Sequence, residues 1–280
     1  MPLKRVNELS QLAKSAFTLI ELLVVIAIIA LLLAILGPSL GKATDVVEET
    51  ICRSGLKQWG LVFALYANDN EDRFPPNIPA YGLNDEDAWV LGALTPYYED
   101  LDLRDCPSTK SLNRLPNRNN MGSTLHQWGP MPYSNGTFWW DSYAEGSFGF
   151  NNWVADPPPE MKTIWELPTV NNVRTIYEKG ADMIPVVCDS VWFDITPWEK
   201  DLAPSNDEHE MDDYDAAWST NSMKFTCIDR HNGGINAVFL DMDVRHVGIK
   251  ELWLLKWHAN WVKGSPPNAW PTWTDKYKDY

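Results

Sequence analysis

The first 70 residues contain two successive hydrophobic patterns. Fifteen uninterrupted apolar residues occupy 22–36, and as an α-helix the segment 17–36 is about 30 Å long, which matches the hydrocarbon thickness of a bilayer. After Gly41, apolar residues instead recur at spacings of three and four, with polar residues on the opposite face. This spacing predicts an amphipathic helix that ends near 68–70 and packs one face on a globular domain. The apolar stripe consists of Cys52, Leu56, Trp59, Phe63 and Tyr66.

The rest of the chain shows weaker patterns. Loops are predicted for most of 75–178, which is rich in Pro, Gly and Asn. The pattern predicts a buried strand at 184–189, a hairpin formed by 234–240 and 244–248, and an amphipathic helix over 249–262. We therefore expect an α+β fold in which a long helix packs on a small antiparallel sheet with long loops.

An acidic residue, Glu21, stands at the start of the apolar run, and a carboxylate there costs a few kcal/mol on membrane insertion. Such a residue is by default a candidate functional site. The basic residues Lys4, Arg5 and Lys14 precede it, which favours a cytoplasmic N-terminus. The run Ala16-Phe17-Thr18-Leu19-Ile20-Glu21 resembles the N-terminal cleavage and methylation signal of type IV prepilins and type II secretion pseudopilins.

The resemblance implies specific roles for three residues. A prepilin peptidase would cut between Ala16 and Phe17, the new amine of Phe17 would be methylated, and Glu21 would guide assembly with other pilin-like subunits. Ala16 departs from the family pattern, which has glycine before the cut.

The same resemblance implies an organisation for the whole chain. It divides into a leader (1–16), a transmembrane half-helix (17–37), an amphipathic half-helix (38–70) and a globular head (71–280). The protein would cross the inner membrane once, with its N-terminus cytoplasmic and its head periplasmic or extracellular. It would be a structural subunit of a type II secretion pseudopilus or a type IV pilus-like filament, and its partners would be the peptidase, the membrane and other copies of itself.

Two simpler readings compete with this one. A secretory signal peptide has a similar order of basic and apolar regions, but its apolar region is shorter and contains no acid such as Glu21. An ordinary single-span anchor fits the length but gives no reason for Glu21.

A second resemblance concerns the C-terminal hairpin. The segment 230–241 resembles the closing signature of a pseudopilin-like group abundant in planctomycetes, in which His is followed by nine residues and then Asp-Gly. His231 and Asp241 have this spacing, but Met242 replaces the glycine. An Asp-Gly pair suits a type I′ turn, whereas methionine at positive φ costs roughly 1–2 kcal/mol, so we expect a shifted or longer turn here. Further landmarks of the group resemble the segments 106–108, 147–151 and 188–190.

Charge and cysteine content limit the partners and the compartment. The formal charge is −15, and −17 without the three basic and one acidic residues of the leader, so we expect no nucleic-acid partner. In an oxidising compartment the four cysteines predict one or two disulfides. The pairing that we favour is Cys52–Cys106 with Cys188–Cys227, and four buried thiols are the alternative.

Calcium is the only cofactor that the resemblance suggests, because major pseudopilins hold this ion in a C-terminal loop. Candidate ligands are Asp189, Asp241 and Asp243, and the acidic run 207–215 is a second candidate set. No EF-hand spacing is present, and acidic runs are usually solvated.

Fifteen tryptophans suggest an alternative function, since exposed indole rings stack on sugars. A membrane-anchored, pilin-derived surface protein that binds polysaccharide is therefore the second hypothesis, and burial of the rings in the core is the competing explanation. The loop-like tryptophans are Trp139, Trp140, Trp153, Trp192, Trp198, Trp218, Trp270 and Trp273. Because the sequence contains no H-E-x-x-H, Walker or G-x-G-x-x-G motif, we do not expect an enzyme.

Overall fold

The computed structural model describes the chain in eight segments. They are 18–76, 90–110, 121–129, 145–164, 167–205, 221–262, 267 and 269–279. The predicted cleavage residues Ala16 and Phe17 lie outside the described residues, as do Trp139, Trp140, Trp218 and the acidic run 207–215. The chain divides into two compact units, Met1–Thr44 and Asp45–Tyr280.

A single helix, α1, spans Leu19–Asp69 and continues through Pro38. Its apolar first part is exposed throughout and is long and apolar enough to cross a membrane. The helix ends where the sequence predicted. Glu71 and Asp72 have positive φ values of 57° and 61°, and the Asp72 amide donates to the Ala67 carbonyl at 2.8 Å, which closes the last turn.

The second part of α1 packs on the sheet of its own unit, which confirms the predicted stripe. Cys52, Leu56, Trp59 and Phe63 are buried, and Tyr66 is half-buried. The Trp59 ring lies 4.9 Å from that of Phe150, edge-on, and its indole N–H donates to the Leu103 carbonyl at 2.8 Å. The stripe is therefore part of the hydrophobic core rather than a free surface.

The remaining elements are short. Helix α2 spans Val90–Leu94, and the strands are β1 Phe148–Asn151, β2 Thr163–Ile164, β3 Leu167–Pro168, β4 Pro185–Asp189, β5 Asp194–Ile195, β6 Gly234–Phe239 and β7 Val244–Gly248. The main sheet has the order β5-β1-β4-β6-β7, and β2 and β3 form a separate pair. The predicted strand and hairpin are β4 and β6–β7. The fold is α+β, as expected from the sequence.

Two elements differ from the expectations. The sheet is mixed, because β5 pairs parallel with β1 at one edge while the other pairs are antiparallel. The helix predicted over 249–262 is a single 3₁₀ segment, Ile249–Leu254. Trp253 and Trp257 are nevertheless fully buried, so their spacing reflects packing into the core rather than a continuous helix.

The turn between β6 and β7 is longer than a type I′ turn, as expected from the methionine at 242. Met242 is the one residue of the turn with positive φ, at 67°, whereas a type I′ turn needs two. The Met242 amide donates to the Phe239 carbonyl at 2.8 Å, and the Phe239 amide donates to Asp243 at 2.9 Å. This pattern is a type I turn followed by a left-handed bulge residue, a position that glycine usually occupies.

Candidate functional site

The first candidate site is the N-terminus of α1, where Thr18 and Glu21 form a capping box. The Thr18 amide and hydroxyl donate to Glu21 Oε2 at 2.8 and 2.7 Å, and the Glu21 amide is 3.2 Å from Thr18 Oγ1. Threonine before the first turn and glutamate three residues later are the residue types that this motif requires. The motif was not among the sequence predictions, although the Thr-x-x-Glu spacing at 18–21 indicates it.

The capping box explains how a carboxylate is held beside an apolar helix. The first N–H groups of a helix lack partners within it, and in hydrocarbon each unsatisfied group costs several kcal/mol. Glu21 and Thr18 satisfy two backbone N–H groups, and the carboxylate also stands at the positive end of the helix dipole. Both side chains are exposed, so they remain accessible to another molecule.

The second candidate site is a group of polar side chains inside the head, which we call the core polar cluster. Its members are Cys52 of α1, Cys106, Asp189 at the end of β4, Arg230 and His231 before β6, and Asn236 within β6. All six are buried, and the side chains of Asp189 and Arg230 have no exposed surface. Buried charges need partners, and the cluster supplies them internally.

Arg230 anchors the cluster with all five of its N–H donors. Nη1 donates to Asp189 Oδ1 at 3.0 Å and to the Ser147 carbonyl at 2.6 Å. Nε and Nη2 donate to the carbonyls of Thr124, Ser123 and Ser190 at 2.9–3.1 Å. One guanidinium thus joins the loop at 123–124 to the start of β1 and the end of β4, with no donor left unsatisfied.

Asp189 is the acceptor at the centre of the cluster. While Oδ1 faces Arg230, Oδ2 accepts the Asn236 amide at 2.8 Å and lies 3.2 Å from His231 Nε2. Burial alone would raise the pKa of Asp189, but the neighbouring His231 and Arg230 outweigh it and hold the pKa well below its usual range. The same carboxylate outweighs the effect of burial on His231 and raises the pKa of the imidazole.

Two thiols complete the cluster. Cys106 Sγ lies 3.3 Å from His231 Nε2, and Cys52 Sγ lies 3.8 Å from both oxygens of Asp189. The contact with Cys52 lowers the pKa of Cys106 despite burial, with His231 and Arg230 acting in the same direction, whereas burial raises the pKa of Cys52. Cys106 is therefore the more acidic thiol of the pair.

The four predicted disulfide residues are buried thiols in the structure. Cys52 and Cys106 lie together in the core polar cluster, with their sulfur atoms no more than 4.8 Å apart. Cys188 instead contacts the Thr226 hydroxyl at 3.2 Å, and burial raises its pKa to about 12. The pairings named above remain predictions.

The three candidate calcium ligands are not close together. Asp189 is fully buried beside Asn236, near the start of β6, and Asp241 and Asp243 are exposed in the turn that follows the strand. Four residues lie between Asn236 and Asp241, and the strand part of this stretch, 236–239, alone spans roughly 10 Å of extended chain. His231 likewise pairs with Asp189 rather than with Asp241.

The tryptophans are largely core residues. All ten that the structure describes are buried or half-buried. Trp153 and Trp192, which the sequence placed in loops, are each about 1% exposed, and Trp198, Trp270 and Trp273 are half-buried. Within the described part of the chain, these rings supply core packing rather than an exposed platform.

Comparison with known proteins identifies one family motif in the chain. The prokaryotic N-terminal methylation motif matches residues 12–37, a region that contains the predicted cut, the capping box and the apolar run. No curated protein and no solved structure matches the chain. The match supports the resemblance to prepilins at the N-terminus, together with processing by a prepilin peptidase and a membrane-anchoring first helix.

Proposed function

We propose that this protein is a structural subunit of a pilus-like filament or type II secretion pseudopilus, assembled through α1. The observation that carries the proposal is the methylation motif at 12–37, which overlaps the first part of α1, where the apolar residues are exposed on every side. In the proposed sequence of events the peptidase removes 1–16 at the inner membrane, and the mature chain begins at Phe17. The protein performs no catalysis of its own.

The exposed part of α1 gives the physical reason for assembly. Large apolar side chains from Leu19 to Leu36 are 45–79% exposed, and only lipid or other apolar helices can cover them. In the membrane lipid covers them, and in a filament the helices of neighbouring subunits do. The head, with its separate core, faces the periplasm or the exterior in this arrangement.

Glu21 has two roles in the proposal. It caps its own helix through Thr18, and its charge pairs with the methylated amine of Phe17 in a neighbouring subunit. A carboxylate buried among apolar helices is stable only with such a positive partner.

The C-terminal hairpin supports membership of the pseudopilin-like group that it resembles. Met242 adopts the left-handed conformation, with φ of 67°, at the position where that group has glycine. This chain therefore has a turn that favours glycine, and a methionine occupies it. A polysaccharide-binding head is the less favoured proposal, because none of the described tryptophans forms an exposed platform.

Electron microscopy of cells that express the full chain with a prepilin peptidase tests the proposal. We expect filaments from wild type and from Ser39→Ala, a control at an exposed position of the same helix. Glu21→Ala should stay in the membrane and form none. Glu21→Gln separates the two roles, because glutamine can still complete a capping box but carries no charge.

If charge pairing drives assembly, Glu21→Gln also forms no filaments. If Glu21→Gln forms filaments and Glu21→Ala does not, capping is the whole role of Glu21. Filaments in normal yield from Glu21→Ala, or none from wild type, would refute the proposed function.

A further inference from the structure

We infer that the core polar cluster is a structural zinc site, with Cys52, Cys106, His231 and Asp189 as the four ligands. One potential ligand atom from each residue lies within 4.8 Å of the other three, in the interior of the head. The four residues come from α1, the segment between α2 and β1, the end of β4 and the segment before β6. The inference does not depend on the proposed filament function.

Three of the six distances between the ligand atoms fit a tetrahedral zinc ion, and the other three are at most 4.8 Å. With usual zinc–ligand bond lengths, ligand atoms around zinc are ~3.4–3.8 Å apart. The observed separations are 3.3 Å between Cys106 Sγ and His231 Nε2, 3.2 Å between His231 Nε2 and Asp189 Oδ2, and 3.8 Å between Asp189 Oδ2 and Cys52 Sγ. Three edges of the ligand set are therefore already close to their metal-bound lengths.

The ligand types select zinc over calcium. Calcium takes six to eight oxygen ligands, whereas two sulfurs and an imidazole nitrogen suit zinc in a four-coordinate site. Four protein ligands leave no open position, and all four residues are buried, which is typical of structural rather than catalytic zinc.

The surroundings of the ligands also suit a bound metal. Two thiolates and one carboxylate carry three negative charges, which one zinc ion and the Arg230 guanidinium neutralise inside the core. Arg230 holds Asp189 Oδ1 at 3.0 Å, which leaves Oδ2 to face the metal. The Asn236 side-chain amide points its nitrogen at Cys52 Sγ, at 3.5 Å, as outer-shell donors to metal thiolates do.

A disulfide between Cys52 and Cys106 is the competing arrangement, and it excludes the metal. A disulfide would use only the two sulfur atoms. It gives no reason for an imidazole and a carboxylate to converge on the same point from two other segments. Zinc uses all four groups and fixes α1 to both strand ends.

The test uses the full chain purified from membranes in detergent. We expect about one zinc per chain by elemental analysis, and Cys52 and Cys106 that react with an alkylating reagent only after a chelator removes the metal. Removal should lower the melting temperature, and zinc should restore it. Replacement of the zinc by Co²⁺ should give the absorption of a tetrahedral cobalt–thiolate centre.

Variants assign the site. Cys106→Ala should weaken zinc binding by more than the ~10–100-fold typical of losing an outer-shell partner. Cys227→Ala, which removes another buried thiol outside the ligand set, should retain one zinc per chain. If Cys106→Ala fails to fold, the Co²⁺ spectrum of the wild-type protein decides. A Cys52–Cys106 disulfide in the purified protein, the absence of a thiolate–cobalt band, or equal zinc content in Cys106→Ala and wild type would overturn the inference.

Discussion

Two glycines of α1 should respond in opposite directions to the same substitution. Gly55 and Gly60 are both in the amphipathic half of the helix. An added Cβ at Gly55 would meet only Leu103 Cδ1, at 4.0 Å, which is an ordinary contact. At Gly60 the Cβ would lie 2.9 Å from Val238 Cγ2 of β6, and the Met242 sulfur would be 3.5 Å away.

The magnitudes follow from these contacts. Alanine in a helix interior is favoured over glycine by roughly 0.5–1 kcal/mol, so Gly55→Ala should stabilise the head by about that amount. The same gain applies at Gly60, but overpacking a well-filled core costs typically 1–3 kcal/mol. Gly60→Ala should therefore be net destabilising, by up to about 2 kcal/mol.

Unfolding of the full chain in detergent, followed by near-ultraviolet circular dichroism, measures both effects. The two variants should differ by about 1–3 kcal/mol, which corresponds to roughly 2–4 °C in melting temperature for each kcal/mol. Equal stabilisation by both substitutions would refute the close packing of α1 against β6.

Two further predictions concern the core. Trp59→Ala should destabilise the head by about 3–5 kcal/mol, since it removes a fully buried ring and its hydrogen bond. Leu61→Ala, on the exposed side of the helix, should change stability by about 0.5 kcal/mol at most. Equal losses in urea unfolding would contradict the assignment of the two faces. Burial raises the pKa of Asp194 from 3.8 to about 7, so the folded protein binds the proton more tightly than the unfolded chain does. The protein therefore loses stability as the pH rises from about 4 to 7. Asp194→Asn should remove this loss. Relative to wild type, the variant should therefore gain on the order of 3 kcal/mol in free energy of unfolding between about pH 4 and pH 8. A stability difference between the two proteins that does not change with pH would contradict this prediction.

The sequence predicted the elements whose patterns are local. The stripe from Cys52 to Tyr66 marks the buried face of α1 because helical periodicity follows directly from which side is covered. The strand β4 and the hairpin β6–β7 were also predictable from the local sequence, because their strands are apolar runs bounded by turn residues.

Other features depend on tertiary contacts and gave no local signal. The two-residue strand β5 exists because it pairs with β1, and its sequence alone is too short to indicate a strand. The tryptophan spacing at 253–261 imitated a helix, yet Trp253 donates to the Asp201 carbonyl at 2.8 Å and Trp257 to Leu252 at 2.9 Å. Core contacts there override the helical periodicity.

The two candidate sites differ in the same way. The Thr18–Glu21 capping box has a fixed local spacing, and the motif match reinforces it. The core polar cluster joins positions up to 184 residues apart, Cys52 and Asn236, so no spacing rule reveals it. Its best sequence signal was the set of landmarks at 106–108, 147–151, 188–190 and 230–241, because Cys106, Ser147, Asp189 and Arg230 within them meet at this cluster.

The N-terminus of the mature protein tests the central claim most directly. The full chain is expressed with a prepilin peptidase, extracted from membranes, and analysed by intact mass and N-terminal sequencing. We expect a chain that lacks residues 1–16 and begins with N-methylated Phe17. A chain that keeps Met1 in the presence of active peptidase, or that begins beyond the apolar run, would contradict it.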